Sequence, residues 1–213
     1  MKGIYGNLND LNKVIILASS SKRREELLSL TGIPFEIHPV DVNEECEGEP
    51  YQRVMDIAER KALAAVRIYP DRLILSADTI VYVNGMFFGK PKNCDHAYQM
   101  LKVLSGQCHQ VYTGVCITCS ASGFIDIRYE KTNVFFAALS SEEIKRYISS
   151  KEPMDKAGAY AIQGRGGMFI ERIEGCHTNV IGLPLALLRK MLKNYGYDNM
   201  TQGDTTYGTV YRP

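Results

Sequence analysis

Short apolar runs that end at a helix start constrain this chain more than any other feature. Val14-Ile15-Ile16-Leu17 is followed by four small residues, Ala18-Ser19-Ser20-Ser21, and then by a segment that reads as helix from about Lys22 to Thr31, stopped by Gly32 and Pro34. A run this short is a buried strand rather than a helix. It is also far too short for a signal h-region or a membrane span. Leu73-Ile74-Leu75 is a second such strand; it delivers Asp78 and continues through Ile80 to Val83. Asn84-Gly85 then signals a tight hairpin of the type in which both turn residues take positive φ, returning through Met86 to Phe88.

The helical segments carry their own punctuation. Pro50 opens one in the first-turn position it tolerates. Its inward stripe comprises Val54, Ile57, Ala58, Lys61, Ala65 and Ile68. A lysine within that stripe is unusual, although a lysine near the helix edge with its stem laid along apolar surface reads the same way. Asn93 is a candidate N-cap for a helix through Leu104, and Ser140-Ser141-Glu142-Glu143 is a capping box before a short helix carrying Ile144, Tyr147 and Ile148. Between them lie two long strands, about Val111–Cys119 and Phe124–Ala137. A Gly-rich stretch from Gly158 to Gly167 leads to a strand over Met168–Ile173, and a last helix spans about Pro184 to Tyr195. Helices mixed with hairpins and isolated strands predict an α/β fold with a mixed sheet. The expected organisation is a loose extension over 1–12, one domain over 13–195 and a mobile polar tail over 196–213.

Composition narrows the function classes. Hydrophobic residues at 45% and charged residues at 23% suit a soluble globule. A net charge of +1 argues against a nucleic-acid footprint or an anionic membrane surface as partner. A phosphate-bearing small molecule needs only a few local cations. Six cysteines are scattered along the chain, and reduced thiols in the cytoplasm are expected. Cys116 and Cys119 have CxxC spacing but fall in an expected strand, where residues three apart point to opposite faces. A structural zinc is not expected there.

Five segments hold side chains able to do chemistry. Ser19 to Arg24 places small residues, hydroxyls and two arginines at a helix N-terminus, which attracts anions; a solvated helix start would look similar. Ser76-Ala77-Asp78-Thr79 puts a carboxylate at the end of a buried strand, a place for a base or metal ligand and equally for a turn residue. Asn43, Glu44 and Glu45 offer hard oxygens of the kind Mg²⁺ prefers, or a solvated acidic loop. Gly89-Lys90-Pro91 sets a lysine where it could reach a phosphate, or simply a turn lysine. Asp155-Lys156 and Ile162-Gln163-Gly164 bring a carboxylate, a cation and an amide into the Gly-rich stretch, or a structural ion pair and a loop.

Taken together and in order, these segments resemble the Maf (septum formation inhibitor) family from about Val14 to Leu192. The resemblance rests on Leu17 to Arg24, Ser76 to Thr79, Gly89-Lys90-Pro91, Leu104-Ser105-Gly106 and Val111 to Val115. Glu152 to Tyr160 and Val180 to Pro184 match as well. It implies an α/β fold similar to the inosine-triphosphate pyrophosphatases, with an elongated mixed sheet, flanking helices and two lobes around a deep cleft. It also implies a divalent-metal-dependent hydrolase, with Mg²⁺ or Mn²⁺, that releases a nucleoside monophosphate and diphosphate, commonly as a homodimer. On this resemblance Ser19, Arg23, Arg24, Lys61 and Lys90 surround the phosphates. Glu44 and Asp78 serve the metal and the water, Asp78 being the base, and Thr79 and Gln163 lie near the base-recognition end. Lys22 stands where the family usually has proline, Asn43 where an aspartate is frequent, and Arg165 where an apolar residue is usual. The Arg-Arg, Ala-Asp-Thr and Ile-Gln-Gly versions of three motifs look like the branch acting on dTTP and UTP. The alternatives are 7-methyl-GTP as substrate, or a non-catalytic nucleotide-binding regulator of cell division.

Overall fold

The computed structural model describes residues 14–193 and residue 195. The extension expected over 1–12 and the tail expected over 196–213 lie outside the described residues. Both apolar runs are strands. β1 (Ile15–Leu17) is wholly buried and pairs in parallel with β2 (Phe35–Ile37) on one side and with β3 (Ile74–Val83) on the other. Helix α1 (Lys22–Ser29) connects β1 to β2, and α2 (Pro50–Val66) connects β2 to β3. β3 turns back into β4 (Met86–Phe88) through Asn84 and Gly85, both at positive φ (49° and 79°), so Val83 faces Met86 across the hairpin.

The remaining elements are α3 (Cys94–Leu104), β5 (Cys108–Cys119), β6 (Phe124–Phe136), α4 (Ser141–Ser149), β7 (Ile170–Glu174), α5 (His177–Ile181) and α6 (Leu185–Lys193). The sheet has seven strands in the order β2-β1-β3-β5-β6-β7, with β4 paired to β3. Parallel pairs at β1 and antiparallel pairs at β3–β4 and β6–β7 make it mixed, as expected. Among the described residues no helix is long and apolar enough to cross a membrane.

The chain divides into two compact units. One comprises Met1–Asp78, Gly114–Tyr129 and Leu185–Pro213, the other Thr79–Thr113 and Glu130–Pro184. In the first, α2 starts on a capping box in which Glu49 and Gln52 exchange side-chain and backbone hydrogen bonds, with Pro50 in the first turn. Its inner face is small: Ala58, Ala62 and Ala65 pack with Ile16, Ala18, Ile74 and Cys116. That lets the helix backbone reach the sheet. A Cβ on Gly114 would lie 2.2 Å from the carbonyl oxygen of Val54, so only glycine fits there. The buried Ser76 hydroxyl donates to the Ala58 carbonyl oxygen at 2.5 Å, binding the helix to β3 one turn further along.

The second unit has an apolar core of its own. Val81, Phe88, Leu101, Leu104, Val134, Phe136, Ile144, Tyr147 and Tyr160 are all buried there. α3 is capped by Asn93, whose Oδ1 accepts from the His96 N–H at 2.8 Å. α4 carries the expected capping box, Ser140 Oγ accepting from Glu143 N–H at 3.2 Å and a Glu143 carboxylate oxygen accepting from Ser140 N–H at 2.8 Å.

Some boundaries differ from expectation. Ile68 leaves the inner stripe of α2, because the helix ends at Val66 and Ile68 is 62% exposed. β5 begins at Cys108, its polar first residues alternating exposed and buried. Met168 lies in a 3₁₀ turn over Arg165–Phe169, 86% exposed, and β7 starts only at Ile170. The neighbouring glycines hold that turn tight, since a Cβ on Gly167 would meet the Ile162 carbonyl oxygen at 2.6 Å. α5 and a 3₁₀ turn at Glu152–Asp155 are too short to leave a periodic signal. Gly114→Ala should push α2 off the sheet and lower stability by about 2 kcal/mol or more, read as a fall in denaturant midpoint.

Candidate active site

The end of β1 and the start of α1 form one face of a charged cluster. Ser19 is buried, and its Oγ accepts from the Ser21 N–H at 3.2 Å and from Arg24 Nη1 at 3.1 Å. The Ser21 N-cap makes no side-chain bond to the helix amides. One turn of helix thus brings Arg23 and Arg24 to the first turn, beside the positive end of the α1 dipole. Burial pushes the Arg24 guanidinium below its ordinary pKa, with Asp78 opposing that, Arg23 adding to it and Glu44 opposing it. Arg24 therefore sits in the field of both carboxylates.

Lys61 supplies the centre. It projects from α2, whose position is set by Gly114 and by the Ser76–Ala58 bond. Its Nζ lies 2.7 Å from Glu44 Oε1 and 2.8 Å from Asp78 Oδ1. The Lys61 and Asp78 side chains are only 12% and 11% exposed. The lysine in the apolar stripe is thus a buried ion-pair donor, not a stem laid along the helix edge. Asp78 ends the buried run of β3. Burial raises its pKa above the ordinary carboxylate value, while Lys61 and Arg24 pull it down.

Glu44 comes from a loop without regular structure, and that loop is tied to α2. Arg60 Nη1 donates to the carbonyl oxygens of Asn43 and Glu45 at 3.0 and 2.9 Å, and Arg60 is itself paired with Asp56. Asn43 Oδ1 accepts from the Glu45 N–H at 2.9 Å. Asn43 shapes the loop here, a bond an aspartate oxygen would make equally well. Nothing in the sequence marks Arg60 for this role, because a charged side chain one residue before Lys61 carries no signal of the loop it holds.

Ser19, Arg23, Arg24, Glu44, Lys61 and Asp78 therefore belong to one unit. Lys61 and Arg24 lie in the field of the two carboxylates and Arg23 in that of Arg24, a cation-rich cluster suited to a polyanion. The other three candidates belong to the second unit. Thr79 Oγ1 lies 2.9 Å from Thr113 Oγ1, and Thr113 donates to the Asn179 carbonyl oxygen at 3.2 Å. With its single hydrogen spent there, Thr113 accepts and Thr79 donates. Lys90 is exposed after β4; the preceding Gly89 carbonyl oxygen accepts from Gly158 N–H at 3.1 Å. Gln163 is exposed in a loop whose flanks bond Glu152. Asp155 and Lys156 form an ion pair, the structural alternative for that segment. Cys116 and Cys119 are both buried in β5 and are not joined in a disulfide.

Residues 14–195 match the family described as Maf-like protein. The chain belongs to that family. Relatives run nearly full length. The dTTP/UTP pyrophosphatase of Caldicellulosiruptor bescii is 49% identical over 194 residues, covering 88% of this chain and 98% of that protein. The protein of the same name from Pelotomaculum thermopropionicum is 48% identical, covering 87% and 98%. That from Bacillus cereus strain G9842 is 46% identical, covering 87% and 97%. Among solved structures, the Staphylococcus aureus Ham1 protein matches with a TM-score of 0.51 at 16% identity, covering 85% of this chain and 99% of that one. At that identity the likeness is one of fold, and it agrees with the mixed α/β architecture.

Because Lys61 lowers the Asp78 pKa, replacing it should do the reverse. Lys61→Met should raise the Asp78 titration midpoint further, read by carboxyl-carbon NMR across pH. A raised carboxylate pKa makes stability fall as pH climbs from the unfolded to the folded value. The variant should therefore lose more stability over that climb than wild type, by about 3 kcal/mol at neutral pH.

Proposed function

We propose that this Maf-like protein is a nucleoside triphosphate pyrophosphatase that hydrolyses dTTP and UTP to the nucleoside monophosphate and diphosphate. The observation that carries this is the Lys61 ammonium within 2.8 Å of both Glu44 and Asp78, with Arg24 in the same field. The names of relatives at 46–49% identity support the substrate class.

The chemistry asks three things of the chain. The phosphates need cations, which Arg23, Arg24, Lys61 and Lys90 supply, with the Ser19 hydroxyl and α1 amides as donors. The attacking water must lose a proton, and Asp78 is the carboxylate to take it, its raised pKa bringing it nearer the working range of a base. As the P–O bond between the α- and β-phosphoryl groups breaks, the water's hydroxyl joins phosphorus, its proton passes to Asp78 and the diphosphate leaves. Lys61 orients Asp78 and keeps it ionised.

Glu44 and Asp78 are also the residues that would hold a divalent cation. They are hard oxygen donors from distant parts of the chain that converge on one positive charge, and Mg²⁺ takes one or two protein carboxylates with water and phosphate oxygens completing its shell. When bound, Mg²⁺ or Mn²⁺ would neutralise charge developing on the phosphates. Base choice falls to Arg23, Thr79 and Gln163, since discrimination comes from polar groups that the wrong base leaves unpaired. A homodimer in the cytoplasm is part of the same proposal.

Two experiments test it. Diphosphate release should vanish with EDTA and return with Mg²⁺ or Mn²⁺, and kcat/KM should be higher for dTTP and UTP than for dATP, GTP or 7-methyl-GTP. Full activity after chelation removes the metal, and 7-methyl-GTP as best substrate removes the pyrimidine assignment. Asp78→Asn should keep the circular dichroism spectrum and lose about a hundredfold or more in turnover. A folded variant with normal turnover removes Asp78 as base.

A further inference from the structure

The loop carrying Gln163 is closed around one carboxylate. Glu152 Oε2 accepts from the Arg165 N–H at 3.0 Å, and Glu152 Oε1 accepts from the Gly166 N–H at 3.1 Å and from the Tyr147 hydroxyl at 2.8 Å. The Tyr147 oxygen in turn accepts from the Ala161 N–H at 3.2 Å. Both flanks of Gln163 are thus pinned, one at Ala161 and the other at Arg165 and Gly166, by a tyrosine and a glutamate five residues apart. The fit is close. A Cβ on Gly164 would lie 2.5 Å from the Glu152 carboxylate, and one on Gly166 would lie 2.6 Å from the Tyr147 hydroxyl. Tyr147 is 4% exposed on α4, which is held by its capping box and by the core of its unit. Burial pushes the Glu152 carboxyl up, but the Gly166, Arg165 and Tyr147 donors outweigh it and leave it below the ordinary carboxylate range. At neutral pH it is a permanent anion.

We propose that Glu152, oriented by Tyr147, is a positioning residue for base selection, because the Glu152 carboxylate and Tyr147 hydroxyl clamp the backbone on both sides of Gln163. The inference rests on Gln163 reading the base. An amide discriminates only if its donor and acceptor meet the base at good distance and angle, since hydrogen bonds weaken steeply with misalignment. The side chain of Gln163 is exposed, so nothing but its own backbone fixes where it starts. Glu152 spends its oxygens on the loop's N–H groups, so it acts through Gln163 and not on the phosphates. None of the residues that hold the Glu44–Lys61–Asp78 cluster belongs to this clamp.

Glu152→Gln keeps the shape but turns one acceptor oxygen into an NH₂ that opposes a backbone N–H. The ratio of kcat/KM for dTTP to that for dATP should fall about tenfold, of the order expected for hydrogen bonds to a charged group. The loss should appear as a higher KM for dTTP, with kcat on dATP unchanged. Tyr147→Phe, which removes one oxygen and keeps the ring in the core, should shift the ratio in the same direction and serves if Glu152→Gln does not fold. Added to Gln163→Ala, Glu152→Gln should cost no further selectivity, as expected for residues acting through one another. A folded Glu152→Gln or Tyr147→Phe protein with wild-type selectivity overturns the clamp alone. So does a full additional loss in the Gln163→Ala background. If wild type itself shows no preference for dTTP over dATP, the reading of Gln163 fails first and takes the clamp with it.

Discussion

Everything at the charged cluster depends on keeping an ammonium group nearly out of water. Lys61 and Asp78 are each about nine-tenths buried, and a lone charge so placed would cost several kcal/mol. The cost is offset because Lys61 meets two carboxylates at hydrogen-bond distance and Arg24 adds a second cation to the field of Asp78. The arrangement is tolerant of charge in one respect. Glu44 is 62% exposed, so one partner of the buried pair remains in reach of solvent and of anything that enters from it.

Such a pair requires α2 at a fixed height over the sheet. The helix achieves this with absent side chains: three alanines on its inner face and a glycine on β5 against which its own backbone rests. Val54, at that contact, and Lys61 are about two turns apart on the same face, so the contact sets the reach of the ammonium. Arg60, adjacent to Lys61 but on another face, holds the Glu44 loop by two carbonyl oxygens. One helix thus places the central cation and, through its neighbour, one of the two anions.

The second unit solves a different problem with the same economy. Its loops are short on regular structure, so side chains hold the backbone in place of strand or helix. Glu152 and Tyr147 do this around Gln163. There a buried or half-buried group uses its hydrogen-bonding capacity on the chain, and the Gln163 side chain between the pinned flanks is exposed.

Local patterns were enough to place most of the elements, α5 excepted. Apolar runs, the Asn84-Gly85 turn, the Asn93 cap and the Ser140 capping box act through neighbours within a few residues, and the strands and helices they mark are present with ends shifted by a few residues. Where local signals compete, the ends moved, as at Ile68 and Met168. The sequence by itself also marked Lys61 as out of place on an apolar stripe and Asp78 as the end of a buried strand. It could not decide between an ion pair and a stem laid along the helix, because the answer lies in atoms 17 residues away along the chain. Only tertiary structure brought the Glu44 and Asp78 carboxylates onto the one Lys61 nitrogen, and only it showed Arg60, Glu152 and Tyr147 to be the groups that hold the loops. Charge and hydrogen bonding act through space over a few ångströms, and the order of residues records that distance only where the chain is locally regular.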